Sequence, residues 1–67
     1  MTKITKEYTN TNNGGKERIT REGGEYRINS YIPNVGWMGE RKVSRSDAER
    51  CMSYTGAPAD VVAAILG

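Results

Sequence analysis

The sequence contains no histidine and a single cysteine, Cys51, and these two shortages narrow its chemistry. Without histidine the chain lacks the side chain that most often transfers protons near neutral pH, so we expect no enzymatic activity. One cysteine cannot form a disulfide within the chain. A zinc site needs about four ligands, drawn mainly from cysteine and histidine, so we expect neither a metal site nor another cofactor.

Long apolar runs and a large excess of one charge are also missing. The longest strongly apolar stretch covers residues 61–66, far short of the roughly 20 residues that cross a bilayer, so no membrane partner is expected. Ten lysines and arginines against eight aspartates and glutamates leave a net charge of +2, too small to require a polyanionic partner. We find no secretory signal, and a lone cysteine suits a reducing compartment, so we expect a cytoplasmic protein.

The length of the chain limits the size of its core. With 67 residues, a single domain over residues 1–67 buries only about 60% of the surface of the unfolded chain. Small folds of this size often rely on disulfides, metals or a partner subunit. Since the first two are not expected here, stability must come from packing, and a homodimer is one way to supplement it.

Two glycines flanked by glutamates give the clearest local signal. Gly23 and Gly24 lie between Glu22 and Glu25, a composition favoured by two-residue hairpin turns. Counting outward predicts these cross-strand pairs: Arg21 with Tyr26, Thr20 with Arg27, Ile19 with Ile28, and Arg18 with Asn29. Because side chains alternate between the two faces of a strand, one face is predicted to carry the apolar residues Ile19, Tyr26, Ile28 and Ile32.

The segments around this hairpin predict further strands. Even spacing of Ile4 and Tyr8 favours a strand over residues 3–8. Residues 10–15 are rich in asparagine and glycine, so we expect a mobile hairpin loop there. Pro33 should end the third strand, and a short fourth strand is predicted within residues 37–43.

The C-terminal third has helical chemistry. Ser46 and Glu49 match a capping box that begins a helix at Ser46, and Gly56 is a natural stop. Proline followed by an acidic residue in 57–60 restarts a helix, whose apolar residues at 61, 62, 65 and 66 would cover the sheet. Cys51 lies on the apolar face of the first helix, so we interpret it as a small buried hydrophobe rather than a nucleophile.

Together these elements predict an α+β fold: an antiparallel three- to four-stranded meander followed by one or two short C-terminal helices packed on one sheet face. The other face of the hairpin is predicted to be polar. It carries Arg18, Thr20, Arg27, Asn29 and Tyr31. Such a mixture suits phosphates and stacked bases, or an acidic protein surface. An ordinary solvated sheet face, balanced by Glu22 and Glu25, accounts for the same residues.

Two other groups are candidates for partner binding. Arg41, Lys42 and Arg45 form a basic group just before the first helix, where surface charge is also common. Trp37 is either a large core residue or an interface anchor, and the sequence leaves both open. If the partner has a basic groove, Glu22, Glu25 and Glu40 become the relevant contacts through charge complementarity.

In general form, a strand meander over residues 3–32 followed by helices over residues 46–66 resembles the small proteins by which bacterial viruses inhibit host defence, including anti-CRISPR proteins. The resemblance is architectural and transfers no functional residue. It implies a non-enzymatic inhibitor or adaptor that docks on a larger host protein complex and blocks it sterically. The alternatives are a small nucleic-acid-binding protein that uses the basic hairpin face, and a self-associating structural subunit.

Overall fold

A computed structural model describes residues 2–67, which form an antiparallel sheet and two helices. The elements are β1 (Lys3–Thr9), β2 (Lys16–Glu22), β3 (Glu25–Ile32), β4 (Gly36–Trp37), β5 (Arg41–Val43), α1 (Arg45–Thr55) and α2 (Ala59–Leu66). The strands β1 to β4 follow one another as a meander, and β5 pairs with β3 beside β4. The predicted α+β meander with C-terminal helices is therefore confirmed.

The central hairpin has the predicted register. Glu22 pairs with Glu25 across the two glycines, and Ile19 pairs with Ile28. Gly23 has φ +63°, the positive value required at the first central position of the tight turns that close two-residue hairpins. The turn therefore sets which side chains of β2 and β3 face the helices.

The core lies between one sheet face and the two helices. It consists of Tyr8, Ile19, Tyr26, Ile28, Ala48, Met52, Val61 and Ile65. The helix α1 packs on β3, and α2 packs on β1 and β2, so both helices cover the face that carries Ile19 and Ile28. Ile32 shares this parity, as predicted, but is only partly buried and lies outside the core cluster. The opposite face, called here the open face, is not covered by either helix.

The helix α1 begins earlier than predicted. Its N-cap is Ser44, whose Oγ accepts a hydrogen bond from the backbone N–H of Asp47 at 3.1 Å. The prediction of a capping box at Ser46 was therefore wrong by two residues. Ser46 is an exposed residue of the first turn, and Asp47 provides the acidic side chain that complements the helix dipole.

The loop at residues 10–15 forms the predicted hairpin connection between β1 and β2 and is hydrogen-bonded to the end of α1. The N–H of Thr11 donates to the C=O of Thr55 at 3.0 Å, and Nδ2 of Asn12 donates to the C=O of Tyr54 at 2.9 Å. Asn10 is buried and donates to Glu17 at 3.0 Å. The bonds to Thr55 and Tyr54 satisfy carbonyls at the C-terminus of α1, where intrahelical partners are missing.

The segment predicted as one short strand is divided into β4 and β5. The chain turns at Pro33 and Asn34, and the N–H of Val35 donates to the C=O of Ile32 at 3.0 Å. Proline followed by a residue with positive φ, here +67° for Asn34, is the pattern of a type II turn. Gly39, with φ +105°, separates β4 from β5. In residues 2–67, neither helix is long and apolar enough to cross a membrane.

Candidate binding surface

The open face brings together most of the residues predicted as candidates. It carries, or is reached by, the side chains of Arg18, Glu22, Glu25, Arg27, Asn29, Tyr31, Trp37, Glu40 and Lys42. Arg41 and Arg45 do not belong to it. Arg41 pairs with Ile28 and so points to the helix side of the sheet, while Arg45 is the first residue of α1 and donates to the hydroxyl of Tyr26 at 3.0 Å.

Arg27 is the centre of the acidic part of the open face. Its guanidinium donates to Glu22 at 3.0 Å, forms an ion pair with Glu25, and lies 3.3 Å from Glu40. Lys42 pairs with the other oxygen of Glu25 at 3.5 Å. The hydrogen bond to Glu22 raises the pKa of Arg27 above its ordinary value, so this group remains charged throughout the stable pH range. Three glutamates are thus held around one arginine.

Arg18 is the centre of a second cluster at the other end of the face. It forms an ion pair with Glu7 of β1 at 2.9 Å. Its guanidinium also lies 4.2 Å from the centre of the Trp37 ring, within the range of a cation–π contact. Lys16 approaches Glu7 at 3.8 Å. The carboxylate of Glu7 thereby fixes Arg18 in the position that covers one side of Trp37.

Trp37 packs on the outside of the sheet and lies outside the core cluster, and its role as an interface anchor stays a prediction. Pairing of β3 with β4 sets it opposite Tyr31, and the two rings meet edge to face with centroids 5.4 Å apart. A groove of about 250 Å³, lined by Lys16, Tyr31 and Trp37, lies beside the rings. The indole is held by neighbours on the sheet while 39% of the residue stays exposed.

Two further apolar side chains near Trp37 in the sequence are exposed. Val35, in the β3–β4 connection, is 68% exposed, and Met38, directly after β4, is 55% exposed. The N–H of Met38 donates to the C=O of Ser30 at 2.8 Å. Because side chains alternate along a strand, Met38 lies on the other side of the sheet from Trp37. Oδ1 of Asn29 accepts from the N–H of Gly39 at 3.0 Å, which also anchors this segment. The tip cluster, defined as Arg18, Tyr31 and Trp37, therefore combines an aromatic pair with a cation on the open face.

Sequence reasoning missed Glu7 and Lys16 as members of this surface. The positions of Glu7 and Lys16 depend on the β1–β2 register, which pairs Glu7 with Arg18 and Thr9 with Lys16. The loop between these strands has no tight-turn signature that fixes the register.

The buried polar groups have structural partners. Glu17 accepts hydrogen bonds from Asn10 at 3.0 Å and Ser30 at 2.6 Å. The hydroxyl of Tyr8 bonds to Thr55 at 2.6 Å. Burial is the main cause that raises the pKa of the half-buried Cys51 thiol, which disfavours the reactive thiolate. Residues 2–67 contain no group of three His, Cys, Asp or Glu side chains placed to hold a metal ion.

No protein-family model, curated protein or solved structure matches this chain significantly. The geometry of the tip cluster and the ion pairs of the open face are therefore the features that bear on function.

Proposed function

We propose that this chain is a non-enzymatic binding protein that docks on a larger protein through the tip cluster and the adjoining open face. The observation that carries the proposal is the placement of Trp37 outside the core, where Tyr31 and Arg18 hold its partly exposed ring. Tryptophan, tyrosine and arginine dominate the binding energy of protein interfaces. A tryptophan that is already fixed loses little conformational entropy on binding.

The ion pairs of the open face favour a protein partner over nucleic acid. Arg18, Arg27 and Lys42 each have a carboxylate partner on the same face. A phosphate would have to compete with these carboxylates, and the remaining negative charges would repel the nucleic-acid backbone. Phosphate contacts supply most of the affinity of non-specific nucleic-acid binding. A surface with both signs of charge suits the polar rim of a protein interface.

The mechanism follows from the position of the cluster. The indole of Trp37 would enter an apolar pocket on the partner, while the paired charges of the open face surround the contact. Occupation of that pocket would exclude other ligands of the partner by simple overlap. The architectural resemblance to small viral inhibitors of host defence makes a host protein complex the partner class that we propose.

The test is affinity capture from a bacterial lysate with and without nuclease treatment, using the wild-type protein and two variants. Trp37→Ala removes the proposed anchor, and Glu49→Ala removes an exposed side chain of α1. A partner captured in stoichiometric amount should survive nuclease treatment and bind Glu49→Ala normally. Loss of Trp37 should weaken its affinity about 30-fold or more, as expected for an interface residue worth at least about 2 kcal/mol.

Other outcomes refute the proposal. Capture that disappears after nuclease treatment, together with a steep loss of affinity as salt rises, identifies a nucleic-acid-binding protein. Equal loss of the partner in both variants shows that the tip cluster is not the contact. A stable dimer of this chain that buries Trp37 identifies self-association instead. Both variants should fold, because neither residue belongs to the core cluster, and thermal melts check this.

A further inference from the structure

A second surface lies on the helix side of the sheet, away from the tip cluster. It is a groove of about 430 Å³ between β5 and α1. Its apolar lining comes from Ile28, Val43 and Cys51, and its polar lining from Arg41, Asp47, Arg50 and Tyr54. Ile28 is fully buried, while Val43 and Cys51 are only partly covered. The groove is called here the β5 groove.

The cations of the β5 groove differ from those of the open face. Arg41 is exposed and forms no ion pair within residues 2–67. Arg50 approaches Asp47 only at 3.8 Å, and its side chain is 79% exposed. On the open face, by contrast, Arg18 and Arg27 lie within 3.0 Å of their carboxylates. The groove therefore combines an apolar lining with Arg41, which has no carboxylate partner among the described residues, and Arg50, whose contact with Asp47 is long and exposed.

The backbone of β5 adds a third feature. Met38 N–H donates to the C=O of Ser30, so the backbone groups of Ser30 point from β3 toward the β4 and β5 side. Because these groups alternate along a strand, Ile28 and Tyr26 point the same way and bond to their partners Arg41 and Val43. The N–H and C=O of Lys42 then point away from β3. Among the described strands, none pairs with this outer edge of β5.

We propose that the β5 groove binds an extended acidic peptide segment of a partner protein, which adds to the sheet as a strand beside β5. An apolar side chain of the peptide would lie over Val43. Carboxylates on the same face of the peptide would meet Arg41 and Arg50, and the side chains on the other face would lie beside Lys42, which pairs with Glu25. The main chain would hydrogen-bond to the outward groups of Lys42, as in other cases of strand addition.

The same features disfavour other anionic ligands. A nucleic acid has no main chain with the alternating donors and acceptors that pair with a strand edge, and it would leave the aliphatic lining of Val43 without a matching group. The basic group that the sequence showed at Arg41, Lys42 and Arg45 is divided by the fold. Arg45 is used internally, because it donates to the C=O of Leu66 at 2.7 Å, whereas Arg41 and Lys42 flank the outer edge of β5.

The experiment uses a fluorescein-labelled peptide, Asp-Glu-Leu-Glu-Asp, with blocked ends. In an extended chain its leucine and both aspartates share one face, while the glutamates occupy the other. Fluorescence anisotropy should show saturable binding with a Kd below about 100 μM. A peptide with serine in place of the leucine should show no saturable binding. The same should hold for the control peptide Leu-Glu-Asp-Asp-Glu, which keeps the composition but changes the order of the residues.

Protein variants test the assigned contacts. Arg41→Ala and Arg50→Ala should each weaken peptide binding about tenfold, because each removes a charge-assisted contact. Lys42→Pro should weaken binding more than Lys42→Ala, because proline also removes the outward N–H. Lys3→Ala is the matched control, since it removes an exposed cation from β1 and should leave binding unchanged. All of these residues are exposed, and thermal melts report whether each variant folds.

The proposal fails if no saturation occurs at up to 1 mM peptide, or if Arg41→Ala and Lys3→Ala bind equally well. It also fails if a single-stranded oligothymidine competes with the peptide at equal charge concentration, because a simple electrostatic site would then explain the binding. These results are independent of the tip cluster, since Trp37→Ala should bind the peptide as the wild type does.

Discussion

Substitution of Ser44 by alanine should lower the free energy of unfolding by about 1 kcal/mol. The hydroxyl of Ser44 accepts from the N–H of Asp47 at 3.1 Å, and its removal leaves that backbone donor without its capping partner. Ser46 provides a matched control two residues along the same exposed turn. Its hydroxyl contacts only that of Ser44, at 3.2 Å. Alanine has a higher helix propensity than serine, so Ser46→Ala should change stability by less than about 0.5 kcal/mol.

Urea denaturation followed by circular dichroism measures both variants. For a domain of this size, a loss of 1 kcal/mol also corresponds to a decrease in Tm of about 4–8 °C. The urea midpoints of the wild type and Ser46→Ala should coincide, and the midpoint of Ser44→Ala should be lower. The reverse order, with Ser46→Ala the less stable variant, would show that α1 begins at Ser46 and would refute the assigned cap.

Three other predictions concern buried groups and the chain path. Burial raises the pKa of Tyr8 to about 12, whereas tyrosine in the unfolded chain titrates near about 10. The free energy of unfolding should therefore fall by up to roughly 2–3 kcal/mol as the pH rises between these two values. Tyr8→Phe should remove this decrease from the pH profile of the urea midpoint. Cys51 in native protein should react with iodoacetamide more slowly than in urea-unfolded protein at pH 8, because burial raises its pKa; equal rates would contradict its position. A Cβ on Gly15 would lie 2.1 Å from the carbonyl oxygen of Tyr31, so Gly15→Ala should lower the free energy of unfolding by more than about 2 kcal/mol. Gly24 has open space around its Cβ position, so Gly24→Ala should lower the free energy of unfolding much less. Urea denaturation compares the two variants.

The central hairpin could be predicted because local signals determine it. A two-residue turn at Gly23 and Gly24 leaves one register for the flanking strands, and that register places Ile19 and Ile28 on the same side. The buried face of α2 was also predictable, because Val61 and Ile65 are spaced four residues apart. Both side chains are buried in the structure.

Features that depend on distant contacts were not predictable in the same way. Ser44 lies three residues before Asp47, and Ser46 lies three residues before Glu49, so local chemistry does not distinguish the two serines as caps. The earlier start is accompanied by hydrogen bonds from Arg45 to Tyr26 and Leu66, which local sequence does not reveal. The position of Trp37 depends on the turn at Pro33 and on pairing with Tyr31, and residues 37–43 carry no consistent alternation that selects a face.

The most direct measurement of the proposed function is ¹⁹F NMR of protein labelled with 5-fluorotryptophan, because Trp37 is the only tryptophan in the sequence. One resonance should arise from the partly exposed ring on the open face. Addition of the nuclease-treated, captured partner should shift or broaden that resonance in proportion to the bound fraction, while random duplex DNA at the same concentration should leave it unchanged. A resonance that responds to DNA, or that is unchanged when the captured partner is fully bound, would contradict docking through Trp37.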